Sequence, residues 1–321
     1  MSVSLARFGL AVGHATDREG GTGCTVVRGI EAPHRAACAV LGRATGSREL
    51  ALLEPGHLVE RVDAILLAGG SAFGLDAAAG VMRWMEARGR GFDVGAGVVP
   101  IVPAAVLYDL TPCGRFDARP TAAMAEAACA AASSEDIPEG AVGAGTGLTV
   151  GRLLGPGGMM KGGIGLAVRE GAGCAAAALV AVNAFGDVRD AGGRILAGAR
   201  GADGVPIDTA ATLAATGPAG GFAGTAAPTP NTTLAVVALD AAFPRVALQG
   251  IARAATAAFH RRITPVGTSL DGDIVFALSP MTGPSAPVAQ AEALAVAAVE
   301  EAIERAVRLA RGRDGIPGLA D

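Results

Sequence analysis

Lysine is almost missing from this chain: of its 26 basic residues 25 are arginine, and the exception is Lys161. Aromatic side chains are scarce too, at 3% of 321 residues, which excludes a core built on large rings and implies close-packed layers of Ala, Gly, Val and Leu. No Cys-x-x-Cys pair occurs. The five cysteines, Cys24, Cys38, Cys113, Cys129 and Cys174, are odd in number and scattered, which argues against a disulfide framework or a zinc site and fits reduced, buried thiols in the cytoplasm. His14, His34, His57 and His260 show no ligand spacing, so each reads as a structural or surface residue, and no metal or other cofactor is expected. With a net charge of -4 and no Arg-rich run interleaved with aromatics, nucleic acid is an unlikely partner. No apolar run approaches the roughly eighteen residues of a membrane span. The first fourteen residues lack an apolar segment with a small-residue cleavage site, so secretion is not expected either.

What is present is apolar and small. Hydrophobic residues make up 51% of the chain and glycine contributes 48 positions, enough for a sizeable globular core. Lys161 sits in the glycine-rich run Gly157-Gly158-Met159-Met160-Lys161-Gly162-Gly163. This is no phosphate cradle, which requires Gly before the Lys and Ser or Thr after it. Lysine is a compact charge whose pKa falls on burial, a property arginine does not share, so Lys161 is either chance retention or a chemical requirement. Val62 to Ala68 reads as a buried strand, and Gly69-Gly70-Ser71-Ala72-Phe73-Gly74 turns from it into a helix over Leu75 to Ala87. Phe73 occupies the closing position of a Gly-x-Ser-x-Gly elbow, so the turn serves strand–helix packing. Gly143-Ala144-Gly145-Thr146-Gly147 likewise suits close backbone approach.

Helical patterns appear over Thr121 to Ser133, Ala242 to His260 and Pro287 to Arg311, the last with a solvated face marked by Glu300, Glu301, Glu304 and Arg305. Apolar strand patterns appear over Gly97 to Val102, Gly163 to Arg169, Ala176 to Asn183, Thr233 to Leu239 and Ile274 to Leu278. Several lack period-two alternation, as strands covered on both faces do, so a layered α/β sandwich is expected. Ala214 to Pro230 breaks the pattern with Ala, Gly, Thr and Pro and no helical period, a length without structure that suggests a functional or flexible segment.

That segment ends at Asn231-Thr232-Thr233. Asn suits turns and Thr suits strands, so the triplet has an ordinary reading as a strand start. It has a chemical one as well. Were the Asn231–Thr232 bond to break, the freed amine of Thr232 would be a suitable base for its own hydroxyl, since an α-amine titrates near roughly 8.

The run Leu67-Ala68-Gly69-Gly70-Ser71-Ala72-Phe73-Gly74-Leu75-Asp76, with Gly80-Val81-Met82-Arg83-Trp84 behind it, resembles the signature of the L-aminopeptidase/D-amidase family of N-terminal nucleophile hydrolases. Val99-Pro100-Ile101-Val102-Pro103, Lys161-Gly162-Gly163-Ile164-Gly165, Val182-Asn183, Asn231-Thr232-Thr233 and Leu270-Asp271-Gly272-Asp273 follow in the family's order, and the match runs from about Gly9 to Leu278. The resemblance implies an αββα sandwich forming one hydrolase domain over 1–321, a linker at 214–230, and self-cleavage into pieces 1–231 and 232–321. It implies a small amide or peptide-like substrate and a homo-oligomer, a tetramer of αβ units. By the same match Thr232 is the nucleophile and Asn183 the oxyanion donor. Lys161 orients the nucleophile or lowers its amine pKa, and Tyr108, the single tyrosine, is a second donor. Asp271 and Asp273, two apart and so on one side of a strand, would share a proton or hold the ammonium of Lys161 or of Thr232. Asp271-Gly272-Asp273 also reads as a tight turn.

Aminopeptidases of the family carry a serine nucleophile with a nearby glutamate. The threonine and Asp-x-Asp here are more similar to its nylon-oligomer hydrolase branch, while Ala36 to Glu49 lacks the acidic, glycine-rich character expected of that region. Two alternatives stay open: an acyltransferase similar to ornithine acetyltransferase, and an unprocessed binding protein of the same fold.

Overall fold

The computed structural model describes residues 3–216 and 231–321. Two sheets lie face to face. One holds Leu10–Asp17, Thr22–Gly29, Ala64–Ala68, Ala104–Val106 and Ser47–Arg48, in that order. The other runs Gly163–Glu170, Ala175–Asn183, Thr232–Leu239, Ile274–Pro280, His34–Val40 and Arg61–Val62. Helices α1 (Ala78–Glu86) and α2 (Ala122–Ala131) cover the first sheet, packing Val81, Met85, Ala125 and Ala128 on Val26 and Leu66. The short helix α3 spans Thr209–Thr216. Helices α4 (Arg245–Arg262) and α5 (Val288–Arg308) cover the second sheet. This is the αββα sandwich.

The second sheet shows why period-two patterning was weak in its strands. Along Ala175–Asn183 the even residues Ala178, Val180 and Val182 face α4 and α5, while Ala177, Leu179 and Ala181 meet the inner face of the other sheet. Both sets are apolar because both faces are dry. Small residues bring the layers close: a methyl on Gly165 would lie 2.0 Å from the Ala302 carbonyl oxygen of α5, so only glycine fits beneath that helix.

Several expected elements shift at their ends for identifiable reasons. Val62 to Ala68 is interrupted at Asp63, whose buried carboxylate accepts the Ile101 N–H and pairs with Arg61. Gly97 to Val102 yields only Val98–Val99, since Pro100 and Pro103 offer no N–H to a ladder. The Leu75 helix starts earlier, as a 3-10 turn over Ser71–Ala77. Helix α4 begins after Pro244 rather than at Ala242. Of the segment 214–230, residues 214–216 close helix α3 and the remainder lies outside the described residues. All five cysteines are buried. Among the described residues no helix is long and apolar enough to cross a membrane.

Candidate active site

Thr232 opens the strand Thr232–Leu239, in register with Asn183 at the end of the antiparallel neighbour. Directly opposed side chains on such a pair share a face about 5 Å apart, so Asn183 reaches the surroundings of the Thr232 hydroxyl. The position belongs to the inner face, where Leu234, Val236 and Ala238 follow it into the core between the sheets. Thr232 is 4% exposed, and Asn183, Lys161, Asp271 and Asp273 are equally buried.

Asn231 bridges to Asp271 on the parallel side. Its N–H donates to the Leu270 carbonyl at 3.0 Å, and its own carbonyl oxygen accepts the Gly272 N–H at 2.7 Å. Gly272 must be glycine here, because a methyl would come within 2.8 Å of Thr232 Oγ1 and 2.6 Å of the Ala44 carbonyl oxygen. The Asp271 carboxylate is held by the N–H and hydroxyl of Thr268, at 2.8 and 2.7 Å, so the turn runs from Thr268 and closes at Asp271, while Gly272 and Asp273 form no turn and lead into the strand Ile274–Pro280. Asp273 accepts the Thr233 N–H at 2.6 Å, and its second oxygen is buried with no hydrogen-bond partner among the described residues. Burial, and then the neighbouring Asp271 carboxylate, push Asp273 up to about 8. Burial also raises Asp271, against the pull of its bonds to Thr268.

Lys161 lies in the strand pair Met160–Lys161 with Thr149–Val150. The expected carboxylate partners are not what hold it: Nζ donates to the carbonyls of Thr146 and Leu148, at 2.9 and 2.7 Å. Burial first, with Arg313 and Arg152 adding repulsion, brings it down to about 8. The half-buried Tyr108 meets the Thr111 hydroxyl at 3.2 Å through its own hydroxyl, while its carbonyl oxygen accepts Asn183 Nδ2 at 3.1 Å.

Two residues at this site carried no signal in the sequence. Arg152, fully enclosed, donates from Nη2 to Asn183 Oδ1 at 2.5 Å and more weakly to the Tyr108 carbonyl at 3.4 Å. Burial lowers it to about 10. Asp109 accepts the Thr22 hydroxyl and the Gly70 N–H, at 2.7 and 2.6 Å, tying the Gly69-Gly70 turn to the Tyr108 segment. Burial raises it to about 6. In a chain with 25 arginines one more Arg is invisible, and Asp109 belongs to no spaced pair. Among the described residues no cluster of His, Cys, Asp or Glu has the arrangement of a metal site.

Two sheets between helical layers, with a threonine buried at the head of a central strand, place the chain among the N-terminal nucleophile hydrolase folds. The L-aminopeptidase D-Ala-esterase/amidase of Ochrobactrum anthropi, described as a variant of that fold, superposes with a TM-score of 0.70 at 22% identity, over 96% of this chain and 86% of that one. A β-aminopeptidase of a Burkholderia species gives 0.66 at 22%, over 97% and 88%. The chain belongs to peptidase family S58, whose model matches residues 8–319. An uncharacterized aminopeptidase of Mycobacterium tuberculosis is 44% identical over 246 residues, 74% of this chain and 67% of that protein. The 6-aminohexanoate-oligomer endohydrolase of a Kocuria species is 32% identical over 281 residues, 84% of this chain and 73% of that protein. The protein is a hydrolase of amide or peptide bonds, and neither the acyltransferase nor the non-catalytic alternative is favoured.

Proposed function

We infer that Thr232 cuts the bond before it and then serves as the nucleophile of the mature hydrolase. The observation that carries this is the 2.7 Å hydrogen bond from the Gly272 N–H to the Asn231 carbonyl oxygen, beside the Thr232 hydroxyl. A donor on that oxygen polarises the carbonyl and stabilises the charge it gains under attack. In the first step Thr232 Oγ1 bonds to the Asn231 carbonyl carbon, the C–N bond breaks, and the Thr232 nitrogen leaves with a proton as an amine. Water then opens the ester, giving an Asn231 carboxylate and a free hydroxyl. Thr232 nitrogen is an amide before the cut, so another group must first take the hydroxyl proton. Asp273, whose carboxylate accepts the Thr233 N–H at 2.6 Å next to Thr232, is assigned that step in its ionised form. After the cut the free amine takes that role and substrate amides are cleaved through an acyl-enzyme; in both reactions the Asn183 amide is the second donor to the oxyanion. Lys161 and the Asp271/Asp273 pair tune the amine's charge, and Tyr108 contributes through its carbonyl.

The threonine nucleophile and the Asp-x-Asp pair support short ω-amino-acid amides such as 6-aminohexanoate oligomers as substrates. The mycobacterial relatives named as aminopeptidases favour a second reading, release of N-terminal residues. A cytoplasmic setting agrees with the unpaired thiols. A tetramer of αβ units follows from the family resemblance. Intact mass under denaturing conditions tests the central claim. Two pieces, the lighter beginning at Thr232, are expected, and a lasting single species of 31.4 kDa would overturn it.

A further inference from the structure

Asparagine is useful as an oxyanion donor only if its amide points the right way, and its two ends are nearly the same shape. At Asn183 the surroundings decide the orientation. The Thr149 N–H and the Arg152 guanidinium can only donate, and both meet the same end of the amide, at 3.1 and 2.5 Å; the Tyr108 carbonyl can only accept, and meets the other at 3.1 Å. The first end is therefore oxygen and the second nitrogen. Tyr108 uses one of the two amide hydrogens, and the other has no acceptor among the described residues.

Arg152 is an expensive way to achieve this. It is 4% exposed, Nε and Nη1 are buried without hydrogen-bond partners, and no carboxylate lies within ion-pair distance among the described residues. A buried cation left unneutralised is unfavourable and is retained where the charge is used. Its one short bond goes to Asn183 Oδ1. Charge drawn onto that oxygen makes the amide hydrogens better donors.

We propose that Arg152 is a positioning residue: it locks the Asn183 amide with its nitrogen toward Thr232 and polarises it as the oxyanion donor. The inference rests on the Thr232 reading of the site. Removing Arg152 leaves the amide held only by the Thr149 N–H and the Tyr108 carbonyl and takes away the charge that polarises it.

The test follows self-cleavage of freshly synthesised chain in a cell-free chase, which needs no substrate. Asn183→Ala is expected to slow the cut on the order of a hundredfold. Arg152→Met is expected to slow it about tenfold or more, with Arg152→Lys recovering part of the loss because the ammonium can still donate to Oδ1. The deciding variant is the double one. If Arg152 acts through Asn183, Arg152→Met adds nothing on top of Asn183→Ala, whereas additive losses overturn the proposal. Equal losses in Arg152→Lys and Arg152→Met, with a lowered melting temperature in both, would also overturn it by assigning Arg152 a purely structural role. Absence of cleavage in the unsubstituted chain would instead defeat the Thr232 reading itself, a separate outcome.

Discussion

The two ends of the strand Thr232–Leu239 sit in one sheet and obey opposite rules. From Leu234 onward every residue is buried among Val180, Leu179, Phe276 and Val275, and burial there stabilises the fold. At the Thr232 end the residues are as deeply enclosed but polar or charged: Asn183, Asp271, Asp273, Lys161 and Arg152. Burial there opposes ionisation, and it moves Asp273 and Lys161 to about 8 from opposite directions. One end holds the protein together; at the other, burial moves titratable groups away from their values in water.

Substitutions at each end separate the two roles. Thr232→Ala is expected to abolish self-cleavage while changing stability by no more than about 1 kcal/mol, checked by gel after a long chase and by thermal unfolding. On that uncut background, Phe276→Ala at the apolar end is expected to cost about 3–5 kcal/mol in denaturant unfolding. With Thr232 restored, the same change should leave the cleavage rate of folded chain within about twofold. The third expectation concerns pH. Asp273 is raised from 3.8 to about 8, so between those values the folded state keeps a proton the unfolded state has lost. Its contribution to stability is present below about 4 and is lost as pH rises to 8. Asp273→Asn, again with Thr232→Ala, should remove that downward slope in a series of unfolding curves. Lys161 acts with the other sign: lowered from 10.5 to about 8, it makes stability rise with pH over that interval. The smallest effect belongs to Tyr108→Phe. It deletes a hydroxyl that meets Thr111 and keeps the carbonyl that meets Asn183, so cleavage should change no more than about twofold.

The apolar end was largely legible in the sequence. Ala176 to Asn183 and Thr233 to Leu239 came within a residue of Ala175–Asn183 and Thr232–Leu239, because long uninterrupted apolar runs leave little choice of element. Leu10–Asp17 and Thr22–Gly29 were not, since His14, Thr16, Asp17, Thr22 and Arg28 interrupt any strand pattern and only pairing across the sheet explains it. At the polar end, rarity drew attention to Lys161 and motif order to Thr232, Asn183 and the Asp pair. Arg152 and Asp109 stayed hidden because what distinguishes them is enclosure, which depends on contacts distant in the chain.

Within the second sheet, Thr232–Leu239 and Ile274–Pro280 lie between Ala175–Asn183 on one side and His34–Val40 on the other. Opening the Asn231–Thr232 bond would thus leave the piece 232–321 wedged into the middle of a sheet whose outer strands belong to the piece 1–231. The fragments would stay joined through hydrogen-bonded strands on both flanks. Unfolding would nevertheless let them drift apart, turning refolding from a first-order event into a second-order encounter that slows on dilution. Assembly would be simple once, as a single chain, and its reversal would carry a memory of the cut.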